Sequence, residues 1–282
     1  MSDAEHFNKD DIAYCTQLVR DNARDLYLAD LLLPEIARSK AIVLHAFHVE
    51  VTNITLGKGD PLAREVRLQW WAEVTSKVRE EEAEGHPVAR AILILMANEP
   101  LVQAALSAKI DAHVFDLYQD PMPDRTTLEG WCGETRSSLY QLVAQFCGAE
   151  AKSDLADASG HAGCCMGIIG ILENMHFLRE HAQNYIPKDI LLSAGLTPEE
   201  FLTAPDERHA FAISAFVALA REHQLTAQKS LVGIEPTARL AFKTFSLANL
   251  YLKRIENKPL SVLQPRQPIS ALRIQWNLLR GA

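Results

Sequence analysis

Four polar side chains recur at helical spacing in an otherwise apolar stretch, Ala41 to Leu56. His45, His48, Thr52 and Thr55 are separated by three, four and three residues, so they share one side of the predicted helix. Imidazole and hydroxyl groups can line a wet cavity, or they can form hydrogen bonds within a core. For each histidine taken singly we favour the core interpretation, and for the stripe as a whole both interpretations stay open.

The pattern of a second stretch, Gly160 to Tyr185, predicts one long apolar helix, one face of which consists mostly of glycines. Each glycine inside a helix costs about 1 kcal/mol relative to alanine, so something must offset the cost. Either a neighbouring helix backbone packs closely against this face, or the face borders a ligand-sized cavity. The face is formed by Gly160, Gly163, Gly167, Gly170 and Asn174.

Composition excludes several classes of protein. The chain has 282 residues, of which 48% are hydrophobic, and this is enough for a substantial core. Its formal net charge of -8 argues against a nucleic-acid-binding protein, which normally presents a basic face. The five cysteines form no CxxC pair and no zinc-like spacing, which indicates a reduced, intracellular protein.

Nothing near the start of the chain resembles a targeting segment. The first eleven residues are acidic and polar, unlike a secretory signal or a transit peptide. No uncharged run reaches the length of about 18 to 20 residues that a membrane span needs. We therefore expect a cytoplasmic, bacterial protein without a transmembrane segment, and peripheral contact with a membrane stays open.

Proline, glycine and capping signals divide the chain into about ten or more helices, and no alternating pattern predicts a strand. We predict an all-α fold in which residues 1–282 form a single domain, with residues 1–9 flexible. The P-loop, GxSxG, HExxH and dinucleotide-binding signatures are absent. His176 and His181 are five residues apart and face different ways on a helix, so they do not predict a metal site.

Several segments, taken together, carry a resemblance to the squalene/phytoene synthase family. They are RDLYLADLLLP (24–34), AFHVEVTNI (46–54), VRLQWWAEV (66–74) and GHAGCCMGIIGILENMHFLREHAQNYIPKDIL (160–191). The resemblance implies a helical bundle of the isoprenoid-synthase type around a central hydrophobic cavity. Enzymes of this family join two prenyl diphosphates head to head, using Mg²⁺ held by two DxxxD motifs on facing helices.

The chain departs from that pattern at the metal-binding positions. The first motif's aspartate positions fall on Thr52 and Leu56, and the second motif's positions fall on Asn174 and Leu178. Mg²⁺ needs hard oxygen ligands, normally carboxylates, to neutralise a departing diphosphate. Glu50 and Glu173 are the nearby carboxylates, and neither has a carboxylate partner four residues on. We therefore assign no catalytic and no metal-binding residue.

A closer resemblance lies within the family. GETRSSLYQL (133–142), SGHAG (159–163) and NYIPKDIL (184–191) resemble the branch that contains the mitochondrial complex I assembly factor and its bacterial relatives. That branch keeps the fold and lacks the aspartates. The resemblance implies a pseudoenzyme with no cofactor, acting with respiratory complex I subunits or assembly proteins.

Three functions stay open at this point. The first is a non-catalytic protein that binds a hydrophobic ligand or a protein partner in complex I assembly. The alternative is a Mg²⁺-dependent head-to-head prenyltransferase in which Arg24, Arg67 and Arg179 help to bind diphosphate. The third is a carrier of a lipid or a small hydrophobic ligand, which could be isoprenoid-like. We expect the cavity to be lined by His45, His48, Thr52, Leu56, Gly163, Gly167, Gly170, Asn174 and Leu178.

Overall fold

A computed structural model describes residues 7–56 and 60–280, and within these ranges the chain is helical and contains no strand. The all-α prediction is therefore confirmed. The α-helices in chain order are α1 (Lys9–Asn22), α2 (Arg24–Asp30), α3 (Glu35–Thr55), α4 (Pro61–Thr75), α5 (Glu80–Ala83), α6 (Pro87–Asn98), α7 (Pro100–Val114), α8 (Arg125–Cys132), α9 (Ser138–Phe146), α10 (Ser153–Glu173), α11 (Met175–Glu180), α12 (Lys188–Ser193), α13 (Pro198–Phe201), α14 (Glu207–Ser230), α15 (Pro236–Arg239), α16 (Ala248–Asn257) and α17 (Ala271–Arg280).

Two compact units make up the described chain. The first contains the described residues up to Tyr118, together with Gln141–Ala149 and Pro236–Ala241. The second contains Gln119–Tyr140, Glu150–Glu235 and the described residues from Phe242 onwards. The prediction of a single domain over residues 1–282 stays a prediction.

Helix α3 is the core of the first unit. Nine consecutive residues, Ala41–Val49, are buried, which is the pattern of a helix covered on all sides. Within the unit, α3 packs against α1, α2, α4, α6 and α7. The Trp71 and Phe47 rings pack perpendicular to each other at a centroid distance of 5.1 Å, so the RLQWW segment helps to fix α4 on α3.

Helix α10 is the core of the second unit. It packs along α14 and also contacts α8, α11 and α16. The segment Gly133–Ser137, which joins α8 to α9 without a break, is π-helical and also packs on α10. Its turn is wider than an α-helical turn because its hydrogen bonds run from i to i+5.

The prediction of one continuous helix over Gly160 to Tyr185 is wrong. Helix α10 begins earlier, at Ser153, and ends at Glu173, where Asn174 leaves helical geometry. A separate short helix, α11, follows and ends before Ala182, whose φ is +55°. The break has a local cause, since the Asn174 side chain donates to the Gly170 carbonyl and competes with the helix backbone.

The N-terminal prediction is tested only in part. Residues 1–6 of the predicted flexible segment 1–9 lie outside the described residues. The rest begins helix α1, in which Asn8 is the N-cap and accepts from the backbone N–H of Asp10 at 2.9 Å. This capping pattern is typical of an ordered helix start.

One helix of the described chain, α10, is long and apolar enough to cross a membrane by length and composition. Most of this helix is buried inside the protein, which is also the pattern of a core helix. The expectation that the chain has no transmembrane segment stays a prediction.

The five cysteines are all free thiols, and four of them are buried. Burial raises the pKa of Cys15, in the first unit, and of Cys165, in the second, to about 12. A hydrogen bond with Cys164 and burial raise the pKa of Cys132 well above its usual value. The thiols therefore behave as small apolar groups, as their spacing predicts.

Candidate functional site

His45 has a buried partner within the first unit. Its Nδ1 lies 2.8 Å from Oδ2 of Asp30, the last residue of α2, and both side chains are buried. Burial raises the pKa of the Asp30 carboxyl, against the lowering effects of His45 and Arg38. This pair gives His45 the hydrogen bond that the core interpretation requires. Asp30 was missed as a partner, although it is an isolated acid in an apolar segment.

His48, Thr52 and Thr55, the other polar residues of the stripe, form contacts with one another within α3. The Thr52 hydroxyl lies 3.4 Å from Nδ1 of His48, which is buried, and the Thr55 hydroxyl donates to the Thr52 carbonyl at 3.1 Å. Leu56 is the half-buried C-cap residue of the helix. The stripe therefore forms hydrogen bonds within and beside its own helix, and its proposed role in lining a cavity stays a prediction.

Gly163 lies against the π-helical segment of the second unit. A Cβ built on Gly163 would lie 2.5 Å from both the Cα and the backbone N of Ser137. The Ser137 hydroxyl donates to the Gly160 carbonyl at 3.0 Å, one turn earlier on α10. The missing side chain thus permits contact between two backbones, which is the close-packing interpretation of the glycine face.

Two further glycines of this face meet side chains from the end of α8 and from the π-helical segment. A Cβ on Gly167 would lie 2.6 Å from Sγ of Cys132, and a Cβ on Gly170 would lie 3.6 Å from Nη2 of Arg136. Gly160 differs from them, because no described atom lies within 4 Å of the corresponding position. The glycine face is therefore packed at Gly163 and Gly167, and open at Gly160.

The two positions of the second expected motif lie beyond the end of α10. The Asn174 amide donates to the Gly170 carbonyl at 2.8 Å, and Leu178, in α11, is buried. Between them, Asn174 offers one neutral oxygen and Leu178 offers none. The helix break at Asn174 also means that these two positions do not share one continuous helix face.

Glu173, the carboxylate next to Asn174, is engaged by two arginines. Its Oε1 accepts from Nη2 of Arg254, and its Oε2 accepts from Nε of Arg266 at 3.2 Å. The Glu173 side chain is only 5% exposed, whereas those of Arg254 and Arg266 are 34% and 52% exposed. Both carboxylate oxygens are thus used in a structural ion-pair cluster.

These residues do not fit the Mg²⁺ cluster of the synthases. Leu56 and Leu178 have no ligand atom for a metal, and Thr52 and Asn174 offer only neutral oxygens. Within residues 7–56 and 60–280, no group of three or more His, Cys, Asp or Glu side chains is arranged to hold a metal ion. The donor atoms at the four expected positions therefore do not support a metal-dependent step, and the expectation of no cofactor stays a prediction.

The three arginines expected to bind diphosphate in the prenyltransferase alternative differ in exposure and in hydrogen bonding. Arg24 and Arg67 are exposed. Arg179 donates through Nε to the Phe201 carbonyl at 3.0 Å and through Nη2 to the Thr203 carbonyl. Burial lowers the pKa of Arg179. Arg179 therefore holds two backbone carbonyls, which leaves fewer of its N–H groups for an anion.

A polar cluster that sequence reasoning missed lies between α8, α10 and α14. The Nδ1 atoms of His161 and His223 are 2.9 Å apart, so one of them must carry a proton and the other accept it. Nε2 of His223 lies 3.2 Å from Oε1 of Glu129, an ion-pair separation without hydrogen-bond alignment. Arg125 donates to Glu129 and to Glu222. Burial lowers the pKa of His223, against the raising effect of Glu129.

The family model described as squalene/phytoene synthase matches residues 19–273. The chain belongs to this family. The resemblance carried by RLQWW, NYIP and the glycine-rich helix is thereby confirmed. The assignment of the family's aspartate positions to Thr52, Leu56, Asn174 and Leu178 stays a prediction.

The relatives of this family member include proteins named "NADH dehydrogenase (ubiquinone) complex I, assembly factor 6". The bovine protein is 28% identical over 254 residues, which cover 89% of this chain and 76% of the relative. The human protein is 25% identical over 255 residues, with the same coverage of both chains. The Drosophila melanogaster homolog is 25% identical and covers 86% of this chain and 74% of its own.

Solved structures place the family member in the isoprenoid synthase fold. A dehydrosqualene synthase crystallised with a ligand has a TM-score of 0.79 at 18% identity, covering 96% of this chain and 95% of that one. A squalene synthase from Alicyclobacillus acidocaldarius has a TM-score of 0.72 at 18% identity, covering 88% of this chain and 94% of that one. At this identity the similarity shows the fold alone.

Proposed function

We propose that this protein is a non-catalytic member of the squalene/phytoene synthase family that acts in the assembly of respiratory complex I. The observation that carries the proposal is its similarity, over 89% of the chain, to proteins named as complex I assembly factor 6. The similar stretch includes the segments in which the synthase aspartates are expected. We infer that it acts in the cytoplasm of a bacterial cell by binding a hydrophobic ligand or a protein partner.

The chemistry of the expected metal positions supports the non-catalytic part of the proposal. Ionising an allylic diphosphate requires positive charge around the leaving group, and the synthases supply it with Mg²⁺. In this chain Thr52 and Asn174 offer only neutral oxygens. Glu173, the nearest carboxylate to the second motif, already has its charge balanced by Arg254 and Arg266.

A deletion strain tests the assembly role. Loss of the gene should lower the amount of assembled complex I and its NADH:quinone activity, and the wild-type gene should restore both. Affinity purification of the tagged protein should enrich complex I subunits or their assembly proteins, and extraction with organic solvent should reveal any bound lipid. Unchanged complex I in the deletion strain, with no reproducible partner or lipid, would contradict the proposal.

An enzymatic assay separates this proposal from the prenyltransferase alternative. The purified protein is incubated with farnesyl or geranylgeranyl diphosphate and Mg²⁺ or Mn²⁺, and organic products are extracted. We expect no squalene- or phytoene-like product above a heat-killed control. Metal-dependent product that is lost in Arg67→Ala would establish the alternative instead.

A further inference from the structure

Helix α17 has two separate apolar faces, and the described part of the protein covers only one of them. Ile274 and Leu278 are buried on the first face. On the second face Leu272 is 79% exposed, Trp276 56% and Leu279 65%. These three residues are spaced by four and three, so they form one continuous stripe along the helix. An exposed stripe of large apolar side chains on an amphipathic helix indicates contact with another apolar phase or surface.

A basic cleft borders the same helix. It has a volume of about 560 Å³ and lies between α16 and α17 in the second unit. The described residues that line it include four cations and three asparagines but no carboxylate: Lys253, Arg254, Lys258, Arg273, Asn249, Asn257 and Asn277. The cluster is locally basic although the net charge of the chain is -8. Its donors, without a carboxylate among them, fit an anion with several oxygen atoms.

Most of these cations are not already neutralised by the protein. Arg254 is paired with Glu173. Among residues 7–56 and 60–280, no carboxylate lies within ion-pair distance of Lys253, Lys258 or Arg273. Arg280 lies over the Trp276 ring, with its guanidinium carbon 4.0 Å from the ring centroid. Lys253, Lys258 and Arg273 are therefore not held in ion pairs and are available to an external anion.

The cleft and the apolar stripe lie next to each other around helix α17. Successive residues of an α-helix turn by about 100°, so Arg280 and Arg273 follow directly beside Leu272 and Trp276 around α17. Asn277 comes next and lines the cleft. The apolar stripe is thus flanked along one side by arginines, and beyond them lies the anion-binding cleft.

We propose that this α17 surface docks on an anionic phospholipid membrane. It comprises the stripe Leu272, Trp276 and Leu279 and the cations Lys253, Lys258, Arg273 and Arg280. The stripe enters the boundary between headgroups and acyl chains, where tryptophan is favoured, and a lipid phosphate occupies the basic cleft. The surrounding cations add electrostatic attraction to the anionic leaflet.

Charge complementarity favours a membrane over the other occupants. A second copy packed symmetrically on this face would bring the same four cations against each other. A free phosphate would fill the cleft but would leave the apolar stripe in water. An anionic surface with an apolar layer beneath it satisfies both features at once.

Vesicle flotation of the full chain tests the proposal. The protein is mixed with vesicles of phosphatidylcholine alone or of phosphatidylcholine with phosphatidylglycerol. We expect binding to the anionic vesicles only, weakened by raised salt. Each cation removed should weaken binding by about fivefold, equivalent to about 1 kcal/mol, so Lys258→Gln with Arg273→Gln should lose about 25-fold. The control Lys229→Gln, an exposed cation at the end of α14, should bind like the wild type.

The apolar stripe has its own matched control. Leu272→Asp should abolish binding, whereas Val232→Asp, at a residue that is equally exposed at 79%, should not. Tryptophan emission should shift to the blue when anionic vesicles are added, and Trp276→Phe should remove the shift. Unfolding curves of all variants check that they fold, which is expected because the substituted side chains are exposed.

Three results would overturn the proposal. One is equal binding to vesicles with and without phosphatidylglycerol. Another is binding that Leu272→Asp and the double charge variant leave unchanged. The third is a dimer in light scattering that Leu272→Asp dissociates, since it would assign the stripe to a second copy of the chain.

Discussion

Ser137 occupies the space that a side chain at position 163 would need. Its Cα and backbone N both lie 2.5 Å from the Cβ position of Gly163, and its hydroxyl donates to the Gly160 carbonyl. The contact involves backbone atoms, so no change of rotamer can relieve it. The glycine face of α10 thus fixes the π-helical segment against the core helix of the second unit.

Substitution of Gly163 should therefore be far more harmful than substitution of its neighbour on the same face. Gly163→Ala should lower the free energy of unfolding by about 3 kcal/mol or more, because two backbones must separate. Gly160→Ala meets no described atom within 4 Å and should stabilise the helix by up to about 1 kcal/mol. Urea unfolding of the two variants measures the difference, and equal effects would contradict the close packing of Gly163 on Ser137.

Gly167 offers a test in which the neighbouring atom can be removed. A Cβ on Gly167 would meet Sγ of Cys132 at 2.6 Å, so Gly167→Ala should destabilise the protein by about 1 to 3 kcal/mol. Cys132→Ala removes the sulfur, and in that background Gly167→Ala should cost at least about 1 kcal/mol less. A double-mutant cycle in urea measures this coupling, and strictly additive effects would refute the contact.

Glu173 should behave as a structural residue. Glu173→Gln keeps the shape of the side chain but removes the charge that faces Arg254 and Arg266. Because both arginines are partly exposed and can regain water, we expect a loss of about 1 to 2 kcal/mol in the free energy of unfolding. Glu180→Gln, at a side chain that is 60% exposed, serves as the control and should change little. If Glu173→Gln unfolds at the same urea concentration as the wild type, the ion pairs do not stabilise the fold and the structural role is refuted.

The protein should lose stability in mild acid because of His223. Burial lowers its folded-state pKa below the ordinary value of 6.5, so the unfolded chain binds the proton more tightly. The contribution of neutral His223 to the free energy of unfolding is complete above about pH 6.5. It is lost as the pH falls from about 6.5 towards the lowered folded-state pKa. Urea unfolding from about pH 8 down to about pH 5 should show this decline, and His223→Gln should flatten it. A decline of equal slope in the variant would assign it to other groups.

Local sequence signals predicted the elements that depend on local physics. The apolar stretches Ala41 to Leu56 and Gly160 to Tyr185 predicted the core helices of the two units. Thr197 and Glu200, which have capping-box spacing in the sequence, form a capping box in the structure. Apolar periodicity and caps act within a few residues, so they can be read from a single sequence. The prediction failed where helix continuity depended on the side chain of Asn174.

The partners of the candidate residues could not be predicted in the same way. Asp30 and His45 are 15 residues apart, whereas Glu173 and Arg254 are 81 apart, and only the fold brings the second pair together. The partner of the glycine face was hidden for another reason. Cys132 and Ser137 are five residues apart, which places them on different sides of an α-helix, and the π-helical turn between them lets both reach α10.

The buried thiols can also be used to measure how often each unit opens. Alkylating reagents react with exposed thiolates, and Cys15 and Cys165 are shielded from solvent with pKa values of about 12. Their labelling under native conditions therefore requires the surrounding helices to separate first, so the labelling rate measures how often they do. Because Cys15 belongs to the first unit and Cys165 to the second, mass spectrometry of the labelled peptides would time the opening of each unit independently.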